Sequence, residues 1–265
     1  MLINGANYYI EQFGKGKPLV LLHGFMGSAA TWLAHLAAFS KYFHVVPMDL
    51  LGHGRTDSPP DPKRYRIENA AHDLVTIFDR LSLPPVHLLG YSMGGRLALY
   101  LALHYPAVVE SLILESTSPG LETEMERLER QRSDEQLASR IEQNGIVSFV
   151  DEWECLPLFS TQKRLPKYIR DWQRIQRLQN SPLGLANSLR GMGTGMQPSL
   201  WPYLSGIDKR ILLIAGGLDA KFAAIAQRIH EQIPTSQLVL IPDAGHATHL
   251  EQPESFNRSV LEFLK

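Results

Sequence analysis

Cysteine is almost absent from this chain: Cys155 stands alone among 265 residues. An internal disulfide is therefore excluded, and a reducing compartment is the natural setting. An excess of one charge is missing as well, with Lys+Arg at 26 against Asp+Glu at 27 and a formal net charge of −1. No global field draws such a chain to nucleic acid or to an anionic membrane, so electrostatic specificity must be local. No apolar run reaches membrane-spanning length, which argues against membrane insertion. Met1-Leu2-Ile3-Asn4-Gly5 lacks the basic and apolar regions of a secretory leader, and the expectation is a cytoplasmic protein. No His/Cys/Asp spacing suggests a metal. Gly191-Met192-Gly193-Thr194-Gly195 fails the G-x-G-x-x-G spacing and follows no strand, so no cofactor is expected and the segment reads as a flexible connection. Repeats and low-complexity tracts are absent too.

What is present is a rhythm. Short runs of β-branched and leucine residues occur at Pro18–Leu22, His44–Met48, Val86–Leu89 and Ser111–Leu114, then again at Arg210–Ala215 and Gln237–Ile241. Helical patterns separate them, which predicts an α/β fold with a mainly parallel sheet covered by helices on both faces. Ligands of such sheets bind beyond the carboxyl ends of the strands. Between the fourth and fifth runs the chain becomes charged, arginine-rich and helical in pattern, so residues 119–203 are expected to form a helical cap inserted into a core of 1–118 and 204–265. Ser133 followed by Asp134, Glu135 and Gln136 reads as a capping box, and Asn144-Gly145 as the stop of that helix.

Gly90-Tyr91-Ser92-Met93-Gly94-Gly95 fits the G-x-S-x-G nucleophile elbow, with a strand before it and a Leu/Ala-rich helical stretch, Arg96 to Tyr105, after it. A seryl hydroxyl is a weak nucleophile and a weak base, so Ser92 needs an imidazole, and the imidazole needs a carboxylate to hold its tautomer. Asp219 follows the fifth run and His246 the sixth, giving the order Ser, Asp, His of the α/β-hydrolase pattern. Asp219 taken alone would be a helix N-cap for Ala220 to Ile233, and His246 a loop histidine. Glu115 and Asp243 are rival acids with a poorer fit to strand and chain order. His23-Gly24-Phe25 follows the first run, which assigns the oxyanion-hole N–H donors to Phe25 and Met93. Asp49 to Gly54 reads as a structural turn, and His23, His53 and His249 as loop or supporting histidines.

Arg96 departs from a generic esterase. It lies four positions after Ser92 on one helix, about a turn away on a similar face. A cation there suggests a substrate carboxylate, because guanidinium pairs planar anions in a fork; the competing reading is a salt bridge to a core acid. Most of the arginines in 119–203 are expected on solvated helix faces, with a few turned into the cleft. Trp153, Phe159 and Trp172 suit either the interior of the cap or the cleft wall.

Gly90 to Arg96, Ser118-Pro119-Gly120-Leu121, Glu129-Arg130-Gln131-Arg132-Ser133-Asp134, Gly217 to Phe222 and Ala244-Gly245-His246 together resemble one family over nearly the whole chain. That family is 2-succinyl-6-hydroxy-2,4-cyclohexadiene-1-carboxylate synthase, a menaquinone-biosynthesis lyase of the α/β-hydrolase fold. The resemblance implies pyruvate elimination without a covalent acyl intermediate. Ser92 would be the base, activated by His246 and Asp219, and the oxyanion hole would hold the enolate. Arg96, Arg130 and Arg177 would pair with carboxylates of a small multi-carboxylate substrate, and Tyr91 and Trp153 would stand around it. Two other classes stay open: a serine hydrolase of esters or vinylogous carbon-carbon bonds, and a non-catalytic ligand receptor.

Overall fold

A computed structural model describes residues 1–265 throughout. Six parallel strands form the central sheet: β3 (Lys17–Leu22), β4 (Phe43–Met48), β5 (Val86–Tyr91), β6 (Val109–Glu115), β7 (Arg210–Gly216) and β8 (Gln237–Ile241), in the order β4-β3-β5-β6-β7-β8. A small antiparallel hairpin, β1 (Leu2–Ile3) with β2 (Ala6–Asn7), precedes them. All six apolar runs of the sequence became strands because both faces of a parallel sheet are buried. Alternate residues feed opposite faces. Val20, Leu22, Leu88, Leu112 and Leu213 join one apolar cluster with α2 (Ile67–Arg80), α3 (Met93–His104) and α7 (Ala220–Gln232). Leu19, Leu21, Leu89, Ile113 and Leu212 join the other with α1 (Leu33–Phe39) and α9 (Pro253–Leu264), which the short α8 (Thr248–Glu251) precedes.

Chain direction across the sheet reverses between β3 and β5, so their carboxyl ends open a crevice. Between β6 and β7 the chain leaves the sheet through α4 (Glu124–Glu154), α5 (Lys167–Leu178) and α6 (Pro182–Met192). Met26 from the sheet side joins Ile141, Phe149, Val150 and Leu185 in a third apolar cluster beneath these helices. The first of them starts ten residues earlier than the Ser133 signal implies. Thr123 is the N-cap, its side chain accepting from Glu126 N while Glu126 reaches back to Thr123 N. Ser133 lies inside the helix. Asn144-Gly145 marks a kink rather than an end: Gly145 takes φ 76°, ψ 175°, and the helix resumes beyond it. The helix after the elbow also begins at Met93 and ends at His104, not at Arg96 and Tyr105. No helix is long and apolar enough to cross a membrane.

Candidate active site

Ser92 sits between β5 and α3 at φ 49°, ψ −104°, a strained conformation for a residue with a side chain. Neighbouring backbone holds it there: Ser92 N–H donates to Glu115 O at 2.8 Å, and Thr117 Oγ1 donates to Ser92 O at 2.7 Å. The turn is so tight that a Cβ on Gly90 would lie 2.5 Å from Gly94 O, and one on Gly94 2.3 Å from Leu22 O. Both glycines of the motif are therefore steric requirements.

His246 Nε2 lies 3.3 Å from Ser92 Oγ, and His246 Nδ1 lies 2.8 Å from Asp219 Oδ2. The carboxylate accepts from Nδ1–H, which leaves the Nε2 lone pair facing the hydroxyl. His246 and Asp219 are buried. Asp219 also caps α7, its Oδ1 accepting from Phe222 N–H at 3.2 Å, so one carboxylate both faces the His246 ring and caps a helix. The rival acids are elsewhere. Glu115 accepts from Thr248 Oγ1 at 2.6 Å, from His249 N–H at 2.9 Å and from the His249 ring at 2.9 Å. Burial would raise its carboxyl, but the His249 charge interaction and these donors outweigh it and hold it below its ordinary value. Asp243 is exposed on a turn.

The N–H groups of Phe25 and Met93 donate to no other group of the chain, and both residues line the same cavity as Ser92. Met93 N–H is among the unpaired donors at the start of α3, where the helix dipole also favours negative charge. The His23 loop is fixed from below. His23 Nδ1–H donates to Gly24 O at 2.7 Å while Nε2 accepts from Leu50 N–H at 3.0 Å, and burial pushes the ring down to about 4. Asp49 ties the following turn by accepting from Ala29 and Arg55 N–H.

The cavity over Ser92 has a volume of ≈ 390 Å³, within the size range of small-molecule sites. Arg96 and Arg130 line it with His246, Phe222 and Trp153. Arg96 is buried, yet no carboxylate lies within ion-pair distance; its one partner is Gln197, whose Oε1 accepts from Nη1 at 2.8 Å. The salt-bridge reading of Arg96 is thereby corrected. Burial first, then repulsion from Arg130, pushes its guanidinium down to about 10. Arg130 is partly exposed and pairs with Asp134 at 2.8 Å. Arg177 is not on this cavity's wall. It lines a smaller one of ≈ 70 Å³, held by Glu154 at 3.0 Å and Gln162 at 3.3 Å, while Arg174 pairs with Asp151 and Glu154 farther out. Phe25, Tyr91, Trp153 and Phe159 border both cavities, so the two recesses adjoin. Trp153 is both packing and wall, its ring edge-on to Phe25 and tilted against Phe149 and Phe159; Trp172 borders the smaller recess. Gln197 carried no sequence signal as a site residue; Phe222, whose ring centroid lies 4.4 Å from that of His246, closes the Gly217 to Phe222 segment but was not singled out within it.

A sequence-family model described as alpha/beta hydrolase fold matches residues 17–253. A putative 2-succinyl-6-hydroxy-2,4-cyclohexadiene-1-carboxylate synthase of Bacillus subtilis (strain 168) is 47% identical over 98% of this chain and 96% of its own length. Among solved structures, MenH from S. aureus superposes with a TM-score of 0.92 at 39% identity, over 97% of both chains. A thermophilic esterase from Thermogutta terrifontis, with malate bound, superposes at 0.87 with 27% identity, over 97% of this chain and 92% of the other.

Proposed function

The chain belongs to the 2-succinyl-6-hydroxy-2,4-cyclohexadiene-1-carboxylate synthase family of α/β hydrolases, and on that premise we propose that it eliminates pyruvate from 2-succinyl-5-enolpyruvyl-6-hydroxy-3-cyclohexene-1-carboxylate in menaquinone biosynthesis. The observation that carries this reading is Arg96, a buried cation beside Ser92 with no carboxylate of its own. A generic esterase has no use for that charge; a substrate with three carboxylates does. Residues 119–203 act as the cap over a core of 1–118 and 204–265, in a protein of the cytoplasm.

Ser92 is the base. His246 Nε2 takes the Ser92 proton as Oγ takes the ring proton beside the succinyl ketone, and Asp219 stabilises the imidazolium. Negative charge moves onto the ketone oxygen, where the Phe25 and Met93 N–H groups stabilise it. The electron pair then returns through the ring double bond, the carbon-oxygen bond to the enolpyruvyl group breaks, and the departing enolate takes up a proton to become pyruvate. That proton comes from His246, so the imidazole ends neutral while Ser92 keeps the proton it took from the ring. No bond forms between Ser92 and substrate. Arg96 and Arg130 bind carboxylates over the serine, and Arg177 receives one reaching into the adjoining recess past Tyr91 and Trp153.

The structural likeness to an esterase keeps ester hydrolysis as the second reading. In that case Ser92 would attack a carbonyl and water would release the acyl group. The test supplies purified protein with the enolpyruvyl precursor, generated in situ, beside a panel of simple esters. Fast pyruvate release with slow ester cleavage is expected; fast ester cleavage without pyruvate would leave the hydrolase reading.

A further inference from the structure

Gln197 lies on the segment between α6 and Trp201, outside every motif of the sequence, and is 0% exposed. Its Oε1 accepts from Arg96 Nη1 at 2.8 Å, and its Nε2 is buried with no partner. A reversed amide would turn its NH₂ against guanidinium donors, so chemistry dictates the orientation. Gly120 makes room behind it: a Cβ there would lie 3.3 Å from Gln197 Nε2. Gln197 does not line the cavity over Ser92, whereas Arg96 does. Asp134, the acid that attracts Arg96 electrostatically, is engaged by Arg130 instead.

We propose that Gln197 is a positioning residue for Arg96, fixing the guanidinium from behind with a neutral oxygen so that its whole charge faces a substrate carboxylate. Guanidinium carries five donors in a rigid fork, and holding one edge orients the others. A carboxylate at position 197 would hold the fork equally well but would neutralise it. The neutral amide leaves the desolvated cation uncompensated until the substrate binds. This inference rests on the proposed anionic substrate and names the residue that sets selectivity for it.

The test measures KM and kcat for pyruvate release, and urea midpoints, for Gln197→Glu and Gln197→Met, each alone and in an Arg96→Met background. Gln197→Glu is expected to raise KM roughly tenfold or more, as loss of a hydrogen-bonded charge pair does, with an equal or higher urea midpoint. Gln197→Met, which keeps volume without the acceptor, is expected to raise KM several-fold with a smaller change in kcat. In the Arg96→Met background neither should change KM further, because the coupling runs through Arg96. KM within about twofold of wild type for both variants, or equal effects in the two backgrounds, would overturn the proposal; should the acidic variant not fold, the methionine variant decides alone. A wild-type protein that releases no pyruvate would defeat the functional reading instead. Titration with succinate would then test the positioning separately, with weaker binding by the Gln197 variants supporting it and unchanged affinity overturning it.

Discussion

Arg96→Met is expected to make the protein more stable while removing most of its proposed activity. Arg96 is buried, and burial together with Arg130 pushes its guanidinium down to about 10, a penalty on the charged form of roughly 3 kcal/mol at 1.36 kcal/mol per decade. Methionine fills similar space without that penalty, but it strands the Gln197 oxygen, at a cost of about 1–2 kcal/mol. The net gain is about 1–2 kcal/mol, or a rise of roughly 2–6 °C in melting temperature for a chain of this size. Activity moves the other way. Two charge-assisted hydrogen bonds to a carboxylate, at about 1.5–3 kcal/mol each, put the loss in kcat/KM at roughly 10²–10⁴. Pyruvate release coupled to NADH oxidation by lactate dehydrogenase reads the activity, p-nitrophenyl acetate cleavage is the neutral control, and a thermal melt reads stability. A falling melting temperature with equal losses on both substrates would make Arg96 a structural residue and refute the reasoning.

Glu115→Ala strands the Thr248 hydroxyl and two His249 donors in the interior; a loss of about 3 kcal/mol in urea unfolding is expected, and a loss below about 1 kcal/mol would show that the latch beside His246 contributes little. Acid should destabilise the fold well before its carboxylates protonate. Burial lowers His23 to about 4 and His53 to about 3, and burial with His249 repulsion lowers His35 to about 4. The unfolded chain therefore binds more protons below about pH 6.5, so stability is full above that pH and falls as pH drops toward 4, by about 2 kcal/mol per histidine at pH 5. Urea midpoints unchanged between pH 7 and 5 would contradict these buried neutral rings.

The sheet and the Ser92, Asp219, His246 set were legible because each rests on local pattern. Strands buried on both faces read as unbroken apolar runs, and the elbow needs glycines at fixed spacing. The inserted helices were harder. Thr123-Glu124-Met125-Glu126 carries a capping signal as good as that at Ser133, and a helix charged on most faces gives no phase to choose between them. Residues 174 and 177 lie about one turn apart, so spacing alone could not say which of Arg174 and Arg177 borders a cavity; packing against Phe159 and Gln162 turns Arg177 inward. Gln197 was invisible because its contact with Arg96 spans 101 residues and depends on no motif.

The most direct test of the central claim compares pyruvate release by wild type and Ser92→Ala, with intact-protein mass recorded during wild-type turnover. Loss of an activated base predicts a fall of several powers of ten, roughly 10³ or more, in a variant that keeps its fold, and no mass adduct on the wild-type chain. Pyruvate release by Ser92→Ala at a substantial fraction of the wild-type rate, or an acyl adduct at Ser92, would contradict the account.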